Sequence, residues 1–147
     1  MLPNDLRMSP EGIRRLALVV RTLAVIVLVG IFLGTHLPVT GVPTISQLDK
    51  VFHFGAYLML TLCLLASWEL SRGPLQASHY FMVWLFGTLY GIFDEVTQIP
   101  VGRTCDGYDW LADVAGIVVG LILFRVASSL VSRVLRWHRT PALSGTS

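Results

Sequence analysis

The chain has 147 residues, room for one domain, of which 54% are hydrophobic and only 14% charged. A soluble domain of that length needs more polar surface, so the composition points to an integral membrane protein. A formal net charge of +2 gives no basis for nucleic-acid binding, and two cysteines, Cys63 in an apolar run and Cys105 in a polar loop, suit neither a disulfide nor a zinc site.

Residues 1–15 read as a short cytoplasmic tail with Pro3 and Pro10, closing on Arg14 and Arg15. The first apolar run covers 16–35, with Arg21 placed to snorkel to the interface. A basic flank before an apolar run also describes a signal peptide. This run is long enough to span, and no small-residue cleavage site follows it, so a retained helix is expected. A loop over 36–48 contains Leu37-Pro38-Val39-Thr40-Gly41, which looks like a sortase sorting signal. Such signals stand near a C-terminus, whereas three more apolar runs follow here, and the match is read as chance. Those runs cover 51–68, 80–98 and 110–131, and a basic tail over 132–147 carries Arg133, Arg136, His138 and Arg139. The expected fold is all-α, an integral membrane four-helix bundle spanning residues 16–131.

Charge sets the expected orientation. Nine of the eleven Lys and Arg residues fall at one end of the bundle, leaving Lys50 and Arg103 at the other. The positive-inside rule then predicts N-in and C-in, with loops 36–48 and 99–108 outside. Trp68 and Trp137 fall at the inner interface and Trp110 at the outer. Acids distribute the opposite way: Asp49, Asp94, Glu95, Asp106, Asp109 and Asp113 all belong to the outer end.

The adjacent acids Asp94 and Glu95 close an apolar run, where charge is costly unless water, a cation or a basic partner meets it. Helical spacing supplies candidates. Asp49, His53 and Tyr57 share a face of the second helix, with Lys50 beside them. Gly87, Gly91, Asp94 and Gln98 share a face of the third, and Asp109, Asp113, Gly116 and Gly120 a face of the fourth. Gly30/Gly34, Gly87/Gly91 and Gly116/Gly120 have the small-xxx-small spacing that lets membrane helices approach closely. The polar stripes are therefore expected to converge at one mouth.

Two readings of that mouth stand side by side. In one, Asp94, Glu95, His53 and Asp109 are acid/base groups or ligands of a divalent cation, Lys50 and Arg103 contact phosphate, and Gln98, Asp49, Tyr57 and Asp113 help to hold substrate. In the other, Lys50 and Arg103 neutralise Asp94 and Glu95 in a structural ion-pair network. Adjacent helical residues point about 100° apart, which argues against Asp94 and Glu95 facing one ligand equally. Asp109 is a candidate cap for the fourth helix. Asp113 lies a turn deeper and needs a partner among Lys50, His53 and Arg103. A channel or transporter fits poorly, since no ionisable residue falls near a bilayer midplane.

The series Asp49-Lys50-x-x-His53-Phe54-x-x-Tyr57, Asp94-Glu95-x-x-Gln98, Arg103, then Asp109-x-x-x-Asp113-x-x-Gly116-x-x-x-Gly120 resembles the VanZ-like family of small membrane proteins, over roughly residues 45–124. The family usually has Asn where this chain has Asp113, which keeps a hydrogen-bonding group and adds a charge. The resemblance implies a bacterial inner-membrane protein, a link to envelope lipids, lipid-linked precursors or lipoglycopeptides as partners, and an association with teicoplanin resistance. It implies no settled activity.

Overall fold

Ser9 starts the first helix: its Oγ accepts the Gly12 N–H at 3.1 Å, and Pro10 occupies the first turn, where a missing N–H costs nothing. A computed structural model describes residues 9–37, 46–103 and 105–137. These form α1 (Pro10–His36), α2 (Ser46–Arg72), α3 (Ala77–Gln98) and α4 (Gly107–Trp137), with a 3₁₀ turn over Ile99–Val101 after α3. Each helix outruns its apolar stretch. The apolar run marks what lipid can cover, whereas capping and ion pairs such as Arg15 with Glu11, 2.7 Å apart, carry the helix further. The Leu-Pro-Val-Thr-Gly stretch lies outside the described residues beyond Leu37.

Cross-links fix an antiparallel up-down order. Arg21 Nη2 donates to Ser71 Oγ at 3.0 Å, which puts the start of α1 beside the end of α2. Ser128 Oγ donates to Glu69 Oε2 at 3.0 Å, and the Arg125 guanidinium lies 5.9 Å from the centre of the Tyr80 ring. The beginning of α1 and the later turns of α4 therefore share one end, and the Asp94 cluster holds the opposite one. Central in the bundle, α2 packs most extensively against α4 and then α1. Its Tyr57 and Leu60 join Ala24, Ile31 and Ile117 in the core.

Glycine spacing has unequal outcomes. A Cβ on Gly116 would fall 2.3 Å from the Phe54 carbonyl oxygen, so the α2 and α4 backbones touch there. One on Gly120 would meet the Thr61 side chain at 2.9 Å. Gly30 and Gly34 have nothing within 4 Å. The expected seam on α1 is an open groove instead, because among the described residues no atom closes on those two positions.

Three helical stretches, Pro10–His36, Leu48–Arg72 and Gly107–Arg133, are long and apolar enough to cross a membrane. Only 17% of the apolar window is buried in the first and the last, so most of their apolar surface faces outward and needs lipid to cover it. A fourth apolar span was expected, but α3 does not reach the same measure, because polar residues close it. Asp94, Glu95 and Gln98 are buried, turned into the bundle and away from its surroundings. Trp110 ties α4 to α3, its Nε1 donating to the Thr88 carbonyl at 3.4 Å.

Candidate functional site

The buried face of α3 carries Gly87, Gly91, Asp94, Glu95 and Gln98. Asp94 and Glu95 diverge as helical geometry requires, and each finds its own surroundings. Asp94 turns to the end of α1, where Thr35 Oγ1 donates to Oδ1 at 2.9 Å and His36 Nδ1 stands 3.8 Å away. Glu95 Oε2 accepts the backbone N–H of Asp106 at 2.8 Å. Gln98 Nε2 reaches both acids, at 3.4 Å to Asp94 Oδ2 and 3.2 Å to Glu95 Oε1.

Lys50 and Arg103 do not neutralise this pair. Lys50 Nζ lies 3.0 Å from Asp106 Oδ2 and 2.9 Å from Asp109 Oδ1, clamping α2 to the start of α4. Arg103 Nη1 donates to the carbonyls of Gly34 and Thr35 at 3.1 and 2.6 Å. Those carbonyls belong to the last turn of α1, which leaves acceptors unpaired and carries the negative end of the helix dipole. Gly102, with φ of +79°, makes the turn that brings Arg103 there. Neither an Arg103 salt bridge to Asp94 or Glu95 nor a free Lys50 awaiting phosphate is present.

The cap of α4 is Asp106 and not Asp109. Asp106 Oδ1 accepts the Tyr108 N–H at 2.9 Å, and this bond, followed by the Lys50 contact, holds the Asp106 carboxyl below the usual carboxylate range. Asp109 lies in the first turn and is spent on Lys50.

The deepest pair is His53 with Asp113, Nδ1 to Oδ1 at 2.9 Å. Of the three partners expected for Asp113, His53 is the one that reaches it. The donor atoms of His53, Glu95 and Asp113 lie within 4.8 Å of one another. Among the described residues, Asp113 Oδ2 and Tyr57 Oη are buried with no hydrogen-bond partner. Asp94, Glu95 and Asp113 are thus three buried carboxyls with no Lys or Arg against them among the described residues.

Beside this cluster runs the groove left by Gly30, Gly34 and Gly55, about 670 Å³ in volume, between α1 and α2. Val27, Ile31, Phe52 and Met59 give it apolar walls, while Thr35, Asp49, His53 and Arg103 line its polar part. His53 and Tyr57 line the groove as well as the buried cluster, so the two share a wall.

Thr35 and His36 are the residues beside Asp94 that sequence reasoning missed. Their signal was their place, at the end of an apolar run that had to finish beside Asp94.

The fold and site define a class: an all-α membrane protein with a buried acid-histidine cluster at one end of its bundle. The chain belongs to the VanZ/LLP1 family, whose profile matches residues 8–128. No curated protein and no solved structure matches it.

Proposed function

We propose that the protein binds an amphiphilic envelope lipid, taking one acyl chain into the α1–α2 groove and the headgroup at its polar mouth. One observation carries this reading: an apolar groove floored by three glycines ends on Arg103, His53, Asp49 and Thr35. Its volume lies within the range of about 300–1,000 Å³ usual for small-molecule sites. Arg103 uses one terminal nitrogen on the α1 carbonyls, and the rest of its planar fork is available for a phosphate. Lys50, Asp106 and Asp109 serve as the structural clamp that holds the mouth in shape. In this reading the groups placed for acid/base work on the headgroup are His53, Glu95 and Asp113. A lipoglycopeptide offers the same acyl chemistry, which is how the implied link to teicoplanin resistance would reach this chain.

The test fills the groove. In native mass spectrometry of the full chain released from membranes, the wild type is expected to retain one phospholipid. Gly30→Leu should lose at least five-sixths of it while keeping wild-type thermal stability, because nothing lies within 4 Å of that position. Equal lipid retention by Gly30→Leu would remove the groove as the binding site.

The orientation proposed is a bacterial inner membrane crossed four times, with the Asp94 end outside. It rests on the basic residues gathered at the other end, Arg14, Arg15, Arg21, Arg72, Arg125 and Arg133 among them. Two native thiols can check it. Cys105 is exposed at the polar end and Cys63 is buried in the bundle. A membrane-impermeant maleimide added to intact cells should label the wild type and leave Cys105→Ser unlabelled. Labelling only after the membrane is permeabilised would reverse the topology.

A further inference from the structure

We infer that His53, Glu95 and Asp113 form a binding site for a divalent first-row transition cation such as zinc or manganese. The site goes beyond the lipid reading and stands or falls without it. The three residues come from three helices, α2, α3 and α4, and all are buried, at 8%, 3% and 0% exposure. Their donor atoms already lie within 4.8 Å of one another. Metal–donor distances of about 2.0–2.2 Å ask only for modest side-chain rotation, chiefly of the long Glu95 side chain.

A second observation is independent of the clustering. Asp113 Oδ2 is fully buried and has no hydrogen-bond partner among the described residues. It points at Gly91, where a Cβ would lie only 3.1 Å away, and Glu95 stands one turn further along the same helix. An unpaired carboxylate oxygen in such a place is costly, and a cation is the partner that removes the cost. Charge agrees. With His53 neutral, a doubly charged ion balances Glu95 and Asp113, against which no Lys or Arg stands among the described residues. Nδ1 of His53 already stands 2.9 Å from Asp113 Oδ1, so a cation taken up between them replaces the shared proton and uses Nδ1 as its nitrogen ligand. One nitrogen and two carboxylates suit zinc or manganese better than magnesium or calcium, which favour oxygen alone.

A neighbouring triad, Asp49, His53 and Asp109, shares the histidine. It is the weaker candidate, because Asp109 Oδ1 is already 2.9 Å from the Lys50 ammonium, whose charge repels a cation.

The experiment uses the untagged full chain in detergent, stripped with EDTA and titrated with Zn²⁺ by calorimetry. One zinc per chain is expected. Affinity should fall at least tenfold in Asp113→Asn and in Glu95→Gln and stay within twofold in Asp49→Asn. No saturable uptake by the wild type overturns the site. So does uptake that survives both of the first two changes, or that is lost in Asp49→Asn alone. Should the buried variants fail to fold, the wild type decides by itself: Mn²⁺ bound at this site must show imidazole ¹⁴N coupling in pulsed EPR, and its absence overturns the proposal.

Discussion

Replacing Gly116 by alanine is expected to damage the bundle more than any other single-methyl change in the chain. The added Cβ would sit 2.3 Å from the Phe54 carbonyl oxygen and 3.1 Å from the Leu58 nitrogen, both backbone atoms of α2. A side chain could rotate away, but backbone cannot without moving the helix. Overpacking a core costs about 1–3 kcal/mol where neighbours can yield, and this site belongs at or above the top of that range. Gly120→Ala meets the Thr61 side chain at 2.9 Å and the Leu58 carbonyl at 3.3 Å, and should cost less. Gly87→Ala meets only the Ile117 side chain, chiefly its terminal Cδ1 at 2.8 Å, and should cost less again. Gly34→Ala should be silent. Thermal melts of the four variants in one detergent test the order, and a Gly116→Ala protein as stable as Gly34→Ala would refute the close approach of α2 and α4.

That series also shows where the sequence is legible and where it stops. Spacing marks Gly30/Gly34 and Gly116/Gly120 alike, yet one pair is a groove and the other a seam. What differs is whether a neighbour lies opposite, which no local pattern encodes. The same limit governs the charges. Apolar runs and helical faces were enough to bring Asp49, His53, Asp94, Gln98, Asp109 and Asp113 to one end of an all-α bundle. For Asp113 they narrowed the partner to Lys50, His53 or Arg103, and the packing of α2 against α4 selects His53. They could not assign Lys50 and Arg103. Near a bundle end, several acids and carbonyls compete within a side chain's length, and backbone turns decide the winner. Gly102 sends Arg103 to the carbonyls of α1, and the start of α4 brings Asp106 and Asp109 under Lys50. Nor did α1 read as part of the site, since Thr35 and His36 are merely the first polar residues after an apolar run.

His53→Leu is the second change expected to have a large effect, through the partner it abandons. Asp113 is fully buried, and its one hydrogen bond among the described residues is to His53 Nδ1 at 2.9 Å. Without the imidazole, both carboxylate oxygens are stranded, and breaking a buried pair from one side costs about 3–5 kcal/mol. Asp113→Leu strands a weaker group, a single N–H on a histidine that retains 8% exposure, so about 1–3 kcal/mol is expected. Asp113→Asn keeps an acceptor for Nδ1 and should be milder still. The double change His53→Leu with Asp113→Leu removes both polar groups and should recover much of the loss, leaving a coupling of about 2 kcal/mol or more between the sites. Unfolding in detergent with EDTA present isolates the protein's own pair from any bound cation. Additive losses in the double variant would mean that His53 and Asp113 act separately, and the shared wall between groove and buried cluster would lose the contact that couples them. Strong coupling would instead show that His53 and Asp113 hold one another, at a residue that also lines the groove.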